Sequence, residues 1–100
     1  MAITSIEDVI VYLKENKRYL HDRFGIISIG VFGSFVRGAQ TAHSDVDMVI
    51  EMEKNKKNIH SFLSLKRFLE KEIDRKVDIG FGQSLKPAIR EKIKAQIIYA

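Results

Sequence analysis

Residues 33–47 read Gly33-Ser34-Phe35-Val36-Arg37-Gly38, then a polar link, then Ser44-Asp45-Val46-Asp47. The turn that opens this stretch has the properties of a phosphate site. Gly33 lacks a Cβ, so the backbone can approach a ligand closely there. The N–H groups that follow begin a predicted short helix and point toward an anion. Ser34 adds a hydroxyl donor, and Arg37 adds a guanidinium suited to phosphate oxygens. The sequence lacks the Gly-Lys-Ser/Thr element of a Walker A loop, and a Gly-Ser pair taken alone is more typical of an ordinary tight turn.

Two carboxylates follow the turn at close range. Asp45 and Asp47 begin a predicted strand, so their side chains share one face and their Cα atoms are ~6.6 Å apart. Both can reach one or two cations, and Mg²⁺ prefers oxygen ligands completed by water and substrate phosphates. Without a cation the two charges repel, which predicts a raised pKa for at least one of them. A loop in which Ser44 or Asp45 caps local backbone explains the acids alone equally well; the preceding turn favours the metal site.

A third acid, Asp78, interrupts the short apolar run Lys76-Val77-Asp78-Ile79-Gly80. An acid in such a strand costs free energy unless it has a partner. If this strand lies beside the one that contains Asp47, Asp78 faces the same site. The alternative is an edge-strand carboxylate in water. We favour the site, because it explains why an acid interrupts an apolar strand.

Hydrophobic periodicity predicts the elements around these motifs. The predicted order is helix Ile6–Arg23, strand Ile26–Phe32, a short helix in the turn, strand Val46–Met52, helix Ile59–Ile73, strand Lys76–Gly80, loop Gly82–Lys86 and a helix from Pro87. Ser5, with Asp8 as its return partner, is typical of a helix start, and Gly25 is typical of a helix end. The alternation predicts an α/β (α+β) fold with a small mixed β-sheet of three to four strands flanked by helices.

Three apolar patterns predict which faces are buried. Strand 26–32 is apolar on both faces, as in a buried central strand. The long helix carries an apolar stripe that consists of Ile59, Phe62, Leu63, Leu65, Phe68, Leu69 and Ile73. The last helix repeats Ile89, Ile93 and Ile97 every four residues. Phe35 either braces the turn or touches the ligand, and the sequence leaves both readings open.

Composition limits the function classes. The chain has 100 residues and a net charge of +4, which indicates one domain over residues 1–100. No apolar run approaches the ~20 residues of a membrane span, and no secretory signal is visible. The sequence contains no cysteine, which excludes thiolate metal sites and favours a cytoplasmic location. Lysines in 54–57 and 86–94 predict a solvated surface; an RNA-binding patch is the less favoured alternative.

The pattern Gly33-Ser34-x-x-Arg37-Gly38, Ser44-Asp45-x-Asp47 and a later Asp78 resembles the DNA polymerase beta-like nucleotidyltransferases. Because the chain has almost nothing outside that core, it is most similar to the minimal nucleotidyltransferase (MNT) group. The resemblance implies that two Mg²⁺ ions are held by Asp45, Asp47 and Asp78, with Asp78 also a base candidate. It further implies that ATP or another nucleoside triphosphate is bound by Gly33, Ser34, Arg37, Gly38 and Ser44.

The resemblance also implies an activity and a partner. Minimal nucleotidyltransferases commonly pair with a HEPN-domain protein as a toxin–antitoxin module, and they silence the toxin by transferring AMP to a tyrosine. Two other functions stay open from the sequence. One is a non-catalytic antitoxin that neutralises its partner by contact. The other is transfer of a nucleotide to RNA or to a small molecule; for a small-molecule acceptor this chain would need to build a cleft by self-association, such as a homodimer.

Overall fold

The computed structural model describes residues 3–41, 43–82 and 86–100. The elements in chain order are α1 Ile6–Glu15, α2 Lys17–Phe24, β1 Ile26–Phe32, α3 Ser34–Arg37, β2 Val46–Met52, a 3-10 helix Lys54–Lys56, α4 Ile59–Ile73, β3 Val77–Phe81, α5 Pro87–Lys94 and β4 Ile98–Tyr99. The strands form one sheet in the order β3-β2-β1-β4, with β2 and β3 parallel and the other pairs antiparallel. This mixed sheet with flanking helices confirms the predicted fold class. The predicted loop Gly82–Lys86 includes residues 83–85, which lie outside the described ranges.

The single helix predicted over Ile6–Arg23 is wrong, because α1 and α2 are separate helices that meet at Asn16. The Asn16 side-chain Nδ2 donates a hydrogen bond to the Tyr12 carbonyl at 2.9 Å, and its backbone lies at φ −107°, ψ 9°. A side-chain amide that binds nearby backbone competes with helical hydrogen bonds. The first helix therefore ends at this residue, and α2 buries Leu20 and Phe24.

The predicted signals at the two ends of this segment are present. The Ser5 hydroxyl accepts a hydrogen bond from the Asp8 N–H at 3.3 Å. The Asp8 carboxylate accepts in return, chiefly from the Thr4 N–H at 3.0 Å, and these hydrogen bonds to Thr4 and Ser5 lower its pKa. Gly25 follows α2 in the left-handed conformation, with φ 71°.

One face of the sheet packs into the hydrophobic core, and β2 supplies its centre. Its alternate residues point inward as predicted and are at most 6% exposed: Val46, Met48, Ile50 and Met52. The facing helices contribute buried side chains such as Leu13, Leu20, Leu65 and Leu69. Because strand side chains alternate, the residues between these inward positions must lie on the opposite, open face of the sheet.

β1 departs from the predicted burial on both faces. Its pairing with β2 shifts register between Ile26 and Ser28, as at a β-bulge. The extra residue keeps both Ile26 and Ile29 in the core, at 5% and 2% exposure, and turns Ile27 away. Ile27 is 56% exposed, so the expectation that it is buried is wrong.

The C-terminal segment covers part of the open face. Ile93 of α5 is buried, and a Cβ added at Gly30 would lie 2.6 Å from Ile97 Cγ2, so Ile97 packs directly on that strand. In the structure the last helix, α5, ends at Lys94. Ile97, which the periodicity placed in this helix, therefore lies beyond it. The sequence analysis missed β4, in which Tyr99 pairs with Gly30. Within the described ranges, no helix is long and apolar enough to cross a membrane.

The buried stripe of α4 is narrower than predicted. Leu65, Leu69 and Ile73 are at most 1% exposed, and their spacing of four residues places them on one helix face. Ile59 and Leu63 are 72% and 41% exposed, so these two were wrongly assigned to the stripe.

Leu65→Ala and Leu63→Ala form a matched pair on this helix. Leu65→Ala should lower the free energy of unfolding by about 2–5 kcal/mol, because it opens a cavity in the core. Leu63→Ala should change it by less than about 1 kcal/mol, because the side chain is already partly in water. Urea unfolding measures both values, and equal losses would contradict the burial pattern described here.

Candidate functional site

Asp47 and Asp78 lie side by side on the open face of the sheet. The parallel pairing of β2 with β3 places them directly opposite each other in register, and paired residues of neighbouring strands share a face. This is the arrangement that the sequence analysis required of the third acid. β3 is an edge strand and Asp78 is exposed, whereas Asp47 is half-buried. Asp45 is exposed and directly precedes β2, at the same end of the strands.

The carboxyl group of Asp47 has a raised pKa in this arrangement. Burial raises its pKa most, and the nearby charges of Asp78 and Asp45 raise it further. The guanidinium of Arg37 acts in the opposite direction and lowers it. Asp78, Asp45 and Arg37 therefore all lie within electrostatic range of Asp47.

Gly33 brings the turn against the acids. A Cβ at Gly33 would collide with Oδ2 of Asp47 and would lie 3.0 Å from its Cγ. The backbone has φ 82° and ψ −147°, a region that only glycine occupies readily. Both facts require glycine at this position, and they fix the turn directly beside the half-buried carboxylate.

α3 begins at the next residue and presents groups that suit an anion. The first N–H groups of a helix have no acceptor within it, so those of Ser34 and Phe35 are available to a ligand. Gly38 ends the helix at φ 70°. The Arg37 side chain is exposed, and in the described part of the chain its guanidinium forms no ion pair within 4.0 Å. A phosphate bound at this turn would therefore lie between N–H donors and a cationic side chain, beside the carboxylates.

Ser44 is engaged within its own loop. Its hydroxyl accepts a hydrogen bond from the Thr41 N–H at 2.7 Å, and its N–H donates to the Thr41 carbonyl at 3.2 Å. These bonds order the chain just before Asp45. Contact between Ser44 and a nucleotide stays a prediction.

Arg75 is a site residue that the sequence analysis missed. Its guanidinium donates to the carbonyls of Ile3, Thr41 and Ser44, at 3.0, 2.8 and 3.1 Å. It also lies 4.9 Å from the ring centroid of Phe35, which is fully buried. Phe35 therefore braces the turn from within. No local pattern in the sequence distinguishes Arg75 from a solvated arginine.

The donor chemistry around Asp47 fits Mg²⁺. All the candidate ligands are carboxylate oxygens, and a cation would offset both the burial and the nearby negative charges that raise the Asp47 pKa. Across residues 3–41, 43–82 and 86–100, no three His, Cys, Asp or Glu side chains stand ready to hold one ion. Because Mg²⁺ usually takes one or two carboxylates and completes its shell with water and substrate phosphates, the observed arrangement suits it. The three-acid ligand set stays a prediction.

Comparisons with known proteins agree with this geometry. A family model described as "Nucleotidyltransferase domain" matches residues 8–100. A relative from Thermococcus cleftensis, named protein adenylyltransferase MntA, is 34% identical over 99% of both chains. A Methanocaldococcus jannaschii relative, described as a candidate protein adenylyltransferase, is 32% identical over 95% of this chain and 97% of its own length.

Two solved structures share the fold. One is described as a candidate minimal nucleotidyltransferase; it superposes with a TM-score of 0.79 at 28% identity and covers 98% of both chains. The other is described as a toxin-antitoxin with AMP-PNP; it superposes with a TM-score of 0.70 at 21% identity, over 86% of this chain and 69% of that chain. At its lower identity, the second match supports the fold alone.

Gly33→Ala should destabilise the protein by about 2–5 kcal/mol, because it combines backbone strain with a collision against Asp47. Gly38→Ala is the matched control, since nothing lies within 4 Å of a Cβ there. Its expected cost is about 1–2 kcal/mol, the ordinary penalty of a left-handed residue. Chemical denaturation of the two variants compares these costs; a smaller loss for Gly33→Ala would contradict the close approach.

Asp47→Asn should stabilise the metal-free protein at neutral pH. The folded-state pKa of Asp47 lies above the ordinary value of 3.8, so the folded protein holds this proton to higher pH than the unfolded chain. The wild type therefore loses stability as pH rises from the unfolded to the folded pKa, and Asn escapes that loss. Thermal melts at about pH 7 and about pH 3 should show the advantage of Asn only at the higher pH. Asp22→Asn, on the exposed side of α2, serves as the control and should show no such gain.

Proposed function

The chain belongs to the nucleotidyltransferase domain family, as its resemblance to the minimal nucleotidyltransferases predicted, and we propose that it transfers AMP from ATP to a hydroxyl group of a protein partner. The observation that carries this proposal is the in-register pair of Asp47 and Asp78 beside the Gly33 turn. It combines oxygen ligands for a cation with a phosphate-binding turn on one surface.

Each site residue has a role in the proposal. Asp45, Asp47 and Asp78 are the Mg²⁺ ligands. The triphosphate is bound by the turn and its side chains, which are Gly33, Ser34, Arg37 and Gly38, with Ser44 at the adjoining loop. Two Mg²⁺ ions would supply Lewis-acid neutralisation of the phosphates and of the attacking oxygen.

The reaction is an in-line displacement at phosphorus. The acceptor oxygen forms a bond to the α-phosphorus, and the bond from that phosphorus to the β-phosphate oxygen breaks, so that pyrophosphate leaves. Asp78 is exposed and stands next to Asp47, where it takes the proton of the attacking hydroxyl. Arg37 and the N–H groups of α3 hold the charged phosphates in place, so most of the acceleration comes from positioning and charge stabilisation.

The proposed partner is a HEPN-type toxin, and the proposed acceptor is one of its tyrosines. The name of the Thermococcus relative supports transfer to a protein. A structure with the same fold is described as a toxin-antitoxin with AMP-PNP, and our proposal extends the adenine nucleotide and the antitoxin role to this chain. The HEPN identity and the tyrosine rest on the family resemblance. The absence of cysteine from the sequence suits a reducing compartment, so the cytoplasm is part of the proposal.

The proposal is tested by incubating the protein with Mg²⁺, α-labelled ATP and the product of the neighbouring gene. We expect label on that product, and a loss of at least about 100-fold in rate for Asp47→Asn and Asp78→Asn, because each removes a carboxylate that would hold the cation that neutralises the transferring phosphate. Asp22→Asn should retain the wild-type rate. Parallel reactions with GTP, CTP and UTP measure the nucleobase preference.

Three outcomes would contradict parts of the proposal. Neutralisation of the toxin by both inactive variants would favour the non-catalytic antitoxin. Label on RNA or on a small molecule instead of the protein would show that the acceptor is not a protein. A neighbouring product without a helical HEPN-like fold would remove the toxin assignment and leave the enzyme in place.

A further inference from the structure

We propose that Arg75 is a positioning residue that fixes Asp45 and joins the loop that contains Thr41 and Ser44 to the phosphate-binding turn at Gly33. The inference rests on the proposed function for its catalytic consequence, whereas its structural part stands on the contacts alone. Arg75 lies between α4 and β3, directly after Asp74, and it is half-buried.

The placement of Asp45 needs an explanation, because β2 begins only at Val46 and the sheet ladder does not include Asp45. Its two neighbours are instead held by consecutive residues of one segment. The Ser44 carbonyl accepts from Arg75 Nη1 at 3.1 Å, and the Val46 N–H donates to the Lys76 carbonyl at 2.9 Å. The segment that leads into β3 therefore holds the chain on both sides of Asp45.

The hydrogen-bonding pattern requires arginine in particular. Nη1 donates to both Thr41 and Ser44, and Nε donates to Ile3, so one planar group binds carbonyls from two distant parts of the chain. A lysine ammonium is a compact charge that lacks this fixed fork. Among the described residues, Arg75 forms no ion pair within 4.0 Å, which leaves its donors directed at backbone.

The stacking of Arg75 on Phe35 connects Arg75 to the turn at Gly33 as well as to the loop. Phe35 directly follows Ser34 in α3, and its buried ring lies 4.9 Å below the Arg75 guanidinium. One side chain thus contacts the loop before Asp45 and the helix that begins at the phosphate site. Because the sheet register holds Asp47 and Asp78, a shift of Arg75 would chiefly alter the spacing between the turn and Asp45.

The experiment compares the wild type, Arg75→Lys, Arg75→Ala and the control Arg18→Lys, which changes an exposed arginine of α2. The first readout is amide hydrogen exchange in the protein without nucleotide. Exchange at Thr41, Ser44 and Val46 should be at least about ten times faster in both Arg75 variants, because the loss of the hydrogen bonds from Arg75 to Thr41 and Ser44 lets this segment open more often. Amides in the centre of α4 should exchange as in the wild type. Arg75→Lys keeps the charge and supplies the second variant if Arg75→Ala does not fold.

The second readout is the Mn²⁺ affinity of the complex with a non-hydrolysable ATP analogue, followed by electron paramagnetic resonance. It should weaken about tenfold in Arg75→Lys, and the Mg²⁺ concentration for half-maximal rate should rise in parallel. The KM for ATP should change less than kcat, since Arg37 is intact. A loss of active protein alone would lower the rate without moving the Mg²⁺ dependence.

Unchanged exchange at Thr41, Ser44 and Val46 in both variants would overturn the inference. So would an exchange increase spread evenly over the whole protein, including α4, because that reports general destabilisation. If the wild type transfers no nucleotide, the proposed function fails, and the exchange measurement still decides whether Arg75 holds the loop.

Discussion

The candidate site depends on the packing constraint that holds two carboxylates opposite each other across a parallel pair of strands. Like charges directly opposite each other destabilise a sheet, and the pKa of Asp47 is raised first by burial and then by the charge of Asp78. The pair cannot separate by slippage, because a shift of one residue would turn the inward residues of β2 and β3 out of the core. The apolar alternation around the acids therefore sets their register: Val46 and Met48 pair with Val77 and Ile79 on the buried face. Core packing stabilises an arrangement that electrostatics opposes.

The open face of the sheet is divided into a covered part and a polar end. The C-terminal segment packs on the covered part, where Gly30 leaves room for Ile97. At the polar end Gly33 leaves room for Asp47 in the same way. A side chain at either glycine would displace what packs against it, so the two residues keep the apolar cover and the charged site close to the backbone of one strand and its turn.

The sequence predicted those parts of the molecule that show a pattern among neighbouring residues. The alternation of β2 and the acid within β3 predicted a shared face, and parallel pairing places Asp47 beside Asp78. What it missed depends on hydrogen bonds that residue type does not reveal, one of them local and the other between distant parts of the chain. Asn16 divides a continuous apolar period through a side-chain hydrogen bond, and β4 exists only because Ile98 and Tyr99 pair with β1. The sequence named the candidate site residues, whose roles stay a prediction, while the contacts of Arg75 with the loop before β2 could not be predicted from it.

Two arginines at this site have different tasks, and their surroundings explain why. Arg37 is exposed, and its charge only partly offsets the rise in the pKa of Asp47, so its guanidinium is available to an anionic ligand. Arg75 directs its donors at three carbonyls and stacks on a buried ring, so its bonding capacity is used within the protein. A ligand that brings negative phosphates and a cation together would neutralise Arg37 and the carboxylates at the same time. Because Arg75 is fixed by these contacts, the spacing between Arg37 and the carboxylates would stay unchanged when the ligand binds. Charge stabilisation is most effective when the charged groups are held in place in this way.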